Sequence, residues 1–403
     1  MGVLFLGCLF KKMDEKELLS KSKIGISNAS NTYQWNLIEG LNAIMENPLT
    51  IINVLPVGTF PKYYRSFCLT SKAWAHTGSA SDYEVGSINL PLFKQLIRTL
   101  KLKKIVRSWI SKQKDARSNI IIYSTYLPFL IAVSGLPSKI RKILIVTDLP
   151  EYSDLSSSTN IIRKIARRIY NQLIYRSLRK IDYFVILTDK MRIPLNVGDR
   201  PYVVVEGIAS NNNLKKLSSI EEPNNPKILL YTGGLHKQFG INTLIDAVKL
   251  LDKQKYQLWF CGKGEMQGVI EEASITHDNI KYLGYREKSE INKLQEQATV
   301  LINPRTNYGE YTNYSFPSKT MEYMLSGRPV IMYKLNGIPD EYDKYLYYIN
   351  GNKPKDVANK IIEVCGKPQS ELNDFAEKAR RFVSENKSCI VQAKKIMELI
   401  EIN

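Results

Sequence analysis

Short, continuous runs of branched apolar residues recur along the whole chain, with segments of helical spacing between most of them. In the first half the runs are VLFLG, LTIINVLPV, SINLP, NIIIYSTY, KILIVTDL, DYFVILTD and YVVVEGI. In the second half they are KILLYTGG, YQLWFCGKG, IKYLGY, TVLINPR, RPVIMY and YLYYIN. A sheet with one wet face alternates apolar and polar residues; continuous runs belong to parallel strands covered on both faces, as in βαβ units. The intervening periodicity predicts helices near 33–46, 92–113, 160–181, 241–252, 265–275, 289–298, 319–326 and 355–365.

At 403 residues the chain exceeds one ordinary domain. Its composition breaks at ASNNNLKKLSSIEEPNNPK (209–227), which is polar and rich in Asn, Ser and Pro. The expectation is an α/β protein of two Rossmann-like domains, 1–212 and 213–403, facing each other across a cleft. The terminal segment 386–403 is expected to pack back on the first domain. Charge breaks at the same place. Residues 1–220 carry 32 Lys/Arg against 15 Asp/Glu, whereas residues 221–403 carry 25 against 24. Nearly all of the net +18 therefore sits on the first half, pointing to an anionic partner there. The five cysteines are scattered, without CxxC spacing, which argues against disulfides or a zinc site and fits a reducing cytoplasm. The opening MGVLFLGC lacks a basic leader and reads as a first strand rather than a signal. No apolar run reaches the roughly 20 residues that span a bilayer.

In open α/β sheets ligands bind beyond the carboxyl ends of the strands. Three such places hold suggestive residues. YTGGLHKQFGI (231–241) follows a strand, and Gly233 and Gly234 would let backbone amides approach a phosphate, with Lys237 beside them. CGKGE (261–265) is a second glycine turn. TVLINPR ends at Arg305, and SFPSKTMEYMLSGRPVI (315–331) then places Ser318 as a helix cap before Lys319 and Glu322. A cation in a first helical turn opposes the helix dipole, so Lys319 is suited to an arriving anion. Arg305 and Lys319 would contact a diphosphate, and Glu322 would accept hydrogen bonds from two ribose hydroxyls.

These segments resemble the donor-binding half of glycosyltransferases of the GT-B fold, more narrowly family 4 of bacterial capsule, O-antigen and exopolysaccharide clusters. The resemblance is close over 227–335 and only outlined before it, through KIGISNASNTYQWNLIEGL and LIVTDLPEYS. It implies a nucleotide diphosphate sugar donor, UDP-linked, bound by Gly233, Gly234, Lys237, Arg305, Ser315, Phe316, Ser318, Lys319 and Glu322. It also implies retaining transfer without an essential metal or other cofactor. Two departures stand out. The family's first Glu of a spaced pair is Tyr314 here, leaving Glu310 as the loop's carboxylate. The common Arg and Lys of the glycine loop are Gly234 and Phe239.

For acid or base, Asp148 at the end of ILIVTDL is the first-domain candidate, equally readable as a cap before Pro150. Asn28, Asn31, Tyr33 and Gln34, between an early strand and a helix, are candidates for the acceptor side; Ser30 or Asn31 equally reads as that helix's cap. The segments 93–114 and 160–181 are basic and amphipathic. In the second, Ile162, Ile165, Ile169 and Leu173 repeat at helical spacing among Arg163, Lys164, Arg167 and Arg168. Such helices suit an anionic lipid surface, or pack their stripe on the sheet. No nucleic-acid-binding pattern is present. The expected function is sugar transfer to a lipid-linked saccharide at the inner face of a bacterial membrane. A nucleotide-sugar epimerase of the same fold, or a basic binding module without catalysis, are the alternatives.

Overall fold

A computed structural model describes residues 2–113, 118–152, 161–210 and 225–401, apart from the side chains of Ile162 and Arg163. It divides into two compact units, Met1–Ile208 with Cys389–Asn403, and Ala209–Ser388. Of the polar stretch 209–227, residues 211–224 lie outside the described residues.

The first unit begins with β1 (Gly2–Gly7), α1 (Glu15–Lys21), α2 (Asn28–Ile44) and β2 (Thr50–Asn53). Four short strands follow: β3 (Cys68–Leu69), β4 (Lys72–Trp74), β5 (Asp82–Glu84) and β6 (Ser87–Ile88). Next come α3 (Phe93–Lys112), β7 (Ser118–Tyr123), α4 (Leu127–Val133) and β8 (Ile140–Val146). The run closes with α5 (Ile161–Leu178), β9 (Tyr183–Ile186) and β10 (Tyr202–Val204). Among the described residues the sheet order is β10-β9-β8-β7-β1-β2-β5-β4, parallel except for the β4–β5 pair. The most continuously apolar strands, β1, β7 and β8, lie at its centre, as burial on both faces requires. SINLP departs from the parallel expectation: β6 pairs antiparallel with β3 in a separate ribbon.

The second unit contains β11 (Lys227–Gly234), α6 (Ile241–Lys249), β12 (Tyr256–Lys263), α7 (Gln267–Thr276) and β13 (Ile280–Tyr282). It continues with α8 (Lys288–Gln297), β14 (Val300–Asn303), α9 (Ser318–Leu325), β15 (Val330–Met332) and β16 (Tyr347–Tyr348). Helices α10 (Pro354–Cys365) and α11 (Gln369–Asn386) complete it. Its sheet runs β13-β12-β11-β14-β15-β16, with every pairing parallel. The long terminal helical pattern is two helices. α11 stays in the second unit, while α12 (Cys389–Glu401) belongs to the first, where Ala393 and Ile396 share a core cluster with Leu37 and Leu41 of α2.

Helices α3 and α5 depart from the simple amphipathic expectation. The inward face of α3 reads Lys94, Arg98, Leu102, Val106, with two cations buried in its first half. Phe93, Leu96 and Leu100 point outward and are exposed. On α5, Ile174 and Leu178 are buried, but Ile165, Ile169 and Leu173 of the expected stripe are exposed rather than packed on the sheet; the side chain of Ile162 lies outside the described residues.

Candidate functional site

The glycines of YTGGL stand inside a strand instead of opening a helix. Gly233 and Gly234 pair in register with Gly262 and Lys263 of β12, and α6 starts only at Ile241, after a 3-10 turn over Lys237–Phe239. Close approach explains the glycines. A Cβ on Gly262 would lie 1.8 Å from the Gly233 carbonyl oxygen, and one on Gly233 would lie 2.9 Å from Lys319 Cε. The end of β11 is thus a bare backbone surface with the Lys319 side chain laid over it.

Helix α9 is fixed to that surface from below. Tyr323 is fully buried; its hydroxyl accepts from the Thr232 N–H (2.8 Å) and donates to the Thr232 carbonyl (3.0 Å). Burial pushes the Tyr323 hydroxyl well above its usual range, so it stays protonated and keeps both roles. Two such bonds are worth about 1 kcal/mol each, and they set which face of α9 turns toward Gly233. Pro317, not Ser318, occupies the cap position, and no side chain caps the helix. Its first N–H groups have no intrahelical acceptor, and Ser318 is exposed beside them.

Lys319 Nζ meets Glu322 Oε2 at 3.4 Å, both side chains about one third exposed (30% and 33%). A pair of this kind is worth only about 0.3–0.5 kcal/mol, so a ligand separates the two at little cost. Glu322 Oε1 also accepts from Gln295 Nε2 at 3.5 Å. Gln295 is buried on α8, and the sequence pattern offers no sign of it, because its contact is made across 27 positions, between residues of α8 and α9.

Arg305 follows β14. Its guanidinium lies over the rings of Phe239 (5.4 Å) and Tyr311 (5.3 Å), and Nη2 donates to Ser315 Oγ at 3.4 Å. Its Nε is buried without a hydrogen-bond partner. The aromatic Phe239, where the resembled family has a cation, thus props a cation supplied by another loop. Ser315 Oγ in turn donates to the Tyr311 carbonyl (2.9 Å). Phe316 is buried against Tyr342, ring centroids 5.2 Å apart, and so shapes the loop from inside. Glu310 is exposed at the start of the turn Glu310–Tyr314 and accepts from the Tyr314 hydroxyl at 3.4 Å. Lys237 is exposed; its backbone N–H donates to Glu265 Oε1 (2.9 Å).

In the first unit, α2 starts at Asn28, so Asn28, Asn31, Tyr33 and Gln34 lie within a helix rather than before it. Three of them hold the fold. The Gln34 amide is fully buried and both accepts from the Cys8 N–H and donates to the Cys8 carbonyl, each at 2.8 Å. Asn31 Oδ1 accepts from the Phe10 N–H (2.8 Å), and the Tyr33 hydroxyl donates to the Val205 carbonyl (3.3 Å). Asn28 is exposed in the first turn. Ser27, rather than Ser30 or Asn31, is the cap residue. Asp148 is exposed just beyond β8, accepting from Thr147 Oγ1 at 3.2 Å. Its neighbour Tyr123 is pushed up to about 12 by burial, against hydrogen bonds from Ser30 and Thr147.

Two mainly parallel α/β units fit the expected GT-B fold, and solved structures agree. The sucrose-phosphate synthase of Thermosynechococcus elongatus superposes with a TM-score of 0.68 at 14% identity, over 100% of this chain and 98% of that one. Anabaena HepE, solved in complex with UDP, superposes at 0.63 and 14% identity over 100% of both chains. Residues 226–367 match the family described as Glycosyl transferases group 1, a match that lies within the second unit. The putative colanic acid biosynthesis glycosyltransferase of Escherichia coli K12 is 23% identical over 172 residues, 41% of this chain and 42% of that protein. The amylovoran biosynthesis glycosyltransferase of Erwinia amylovora is 23% identical over 133 residues, 32% of each. These matches span less than half the length of either relative.

Proposed function

We propose that this chain is a glycosyltransferase of bacterial surface polysaccharide synthesis, moving a sugar from a UDP-linked donor to a lipid-linked saccharide. The observation that carries the reading is the arrangement of two cations at the ends of β11 and β14. Lys319 lies over a bare glycine backbone, and Arg305 is held between two rings with its Nε unpaired. Positioned cations and helix N–H groups of this kind stabilise a departing diphosphate, so we assign the charge neutralisation to them and to no metal. Glu322, oriented by Gln295, takes the ribose hydroxyls. The sugar–phosphate bond breaks with its electrons leaving on the diphosphate, as the acceptor hydroxyl attacks on the same face and passes its proton to the departing phosphate oxygen, which is retention; Asp148 and Glu310 are the carboxylates this reading assigns to catalysis. The relatives named for colanic acid and amylovoran synthesis support the polysaccharide class, and the UDP held by Anabaena HepE supports the base.

Thermal stabilisation tests the donor. A ligand at about 100 times its Kd adds about 2.7 kcal/mol of stability. A selective shift with UDP over GDP, dTDP, CMP, NAD and a short DNA duplex is the expected result. A shift with the duplex alone would refute the enzyme reading.

We assign the acceptor's membrane to α3 and α5. Among the described residues no helix is long and apolar enough to cross a bilayer, but Phe93, Leu96, Leu100, Ile165, Ile169 and Leu173 are exposed on helices rich in Lys and Arg. Apolar side chains outward among cations fit the anionic inner face of a plasma membrane, each cation adding about 1 kcal/mol. Sedimentation with anionic vesicles should retain the chain, and neutral vesicles should not. Ile165→Ser with Ile169→Ser should release most of it, and equal retention of that variant would remove α5 from the assignment.

A further inference from the structure

Among the described residues no acid balances the two cations in the buried half of α3. Lys94 and Arg98, one turn apart, are 5% and 2% exposed. Lys94 Nζ donates to the Val57 carbonyl. Arg98 donates through Nη2 to the Leu55 carbonyl (3.1 Å) and through Nη1 to the Tyr126 hydroxyl (3.2 Å). Its Nε is buried with no hydrogen-bond partner. All of these partners are neutral. The groups acting electrostatically on Lys94 are Arg98 and the Cys8 thiol, and burial pushes that thiol up to about 12. Among the described residues neither cation forms an ion pair. Burial, and then the neighbouring Arg98, draws the Lys94 ammonium down to about 7. Arg98 has no such outlet, since a guanidinium keeps its proton.

Burying two like charges one helical turn apart is costly unless an opposite charge joins them. The local sequence makes the placement specific. A helix needing only a core stripe would extend Leu102 and Val106 backward, yet α3 turns Phe93 and Leu96 outward and Lys94 and Arg98 inward. The pair also sits where open α/β sheets take ligands. Cys8 directly follows β1, and Leu55 and Val57 follow β2, its parallel neighbour.

We propose that Lys94 and Arg98 form an oxyanion subsite of the first unit, taking a phosphoryl group of the acceptor. Only the word acceptor rests on the glycosyltransferase reading; the anion site stands on the unbalanced pair alone.

The test titrates the full chain, saturated with UDP to occupy the second unit, with inorganic pyrophosphate and with farnesyl diphosphate. Chloride at matched ionic strength is the reference, and the unfolding midpoint is read. Both diphosphates should raise the midpoint, and Lys94→Met and Arg98→Met should each reduce the rise to the chloride level. Should UDP itself not bind, the same titration in Lys319→Ala isolates the first unit, so the two readings fail separately. No rise in the wild type, or one that survives both substitutions, overturns the subsite. A rise with pyrophosphate but not with farnesyl diphosphate overturns the acceptor assignment. Because Arg98→Met can loosen the loop after β2, wild-type crystals soaked in selenate give a second measurement. An anomalous peak within hydrogen-bonding distance of Arg98 Nε is expected, and its absence at saturating selenate overturns the proposal.

Discussion

Glu322→Ala should weaken UDP binding about 100-fold, the loss of two charge-assisted hydrogen bonds to vicinal hydroxyls at about 1.5 kcal/mol each. The fold should barely notice. Glu322 is one third exposed, and its pair with Lys319 is a single-turn surface contact worth a few tenths of a kcal/mol. Lys319→Ala should weaken binding by about 10-fold or more for a different reason. It removes the cation lying over Gly233 but leaves the ribose contacts intact. The two variants should therefore separate by ligand: uridine binding should fall with Glu322→Ala and hold with Lys319→Ala, because uridine has no diphosphate. Titration calorimetry with UDP and uridine decides this, and unchanged affinity in both variants would remove α9 from the site.

Gly262→Ala should destabilise the chain by more than about 3 kcal/mol, the range reached by backbone strain combined with a steric clash. Its φ is +151°, and the added methyl would sit 1.8 Å from the Gly233 carbonyl oxygen. No side chain stands between that could rotate aside; the obstacle is the backbone of the adjacent strand, locked by register pairing. Gly268→Ala is the matched control. It lies within α7, where an added Cβ meets nothing within 4 Å, so alanine should be neutral or stabilise by up to about 1 kcal/mol through helix propensity. Urea unfolding of both variants measures the contrast. A Gly262→Ala chain as stable as the wild type would mean that the strand ends are looser than described, and the bare surface under Lys319 with them.

Much of this site can be read from local sequence, because its parts are close in the chain. Arg305, Ser315, Lys319 and Glu322 span one strand end, one loop and one helix turn, and the apolar runs around them announce the strands. What could not be read is support from a distance. Gln295 beneath Glu322, Phe239 under Arg305 and Tyr323 bonded to Thr232 are contacts between separate elements. The short strands β3, β4 and β5 were equally silent, since a two- or three-residue edge strand needs no continuous apolar run. Gln34 shows the opposite failure. Its polarity and position suggested a ligand contact, yet its amide serves the backbone of Cys8.

By itself, then, the sequence determined the α/β alternation of both units, their central parallel strands and the lysine in the first turn of α9. Hydrophobic period and helix-end chemistry act over a few residues, and those are local properties. Only the tertiary structure decided that Gly233 and Gly262 are glycines because two backbones touch, and that α3 buries Lys94 and Arg98 while exposing Phe93 and Leu96. Helical spacing assigns residues to faces but carries no sign for which face turns inward. That choice falls to the sheet ends and neighbouring helices against which the helix packs.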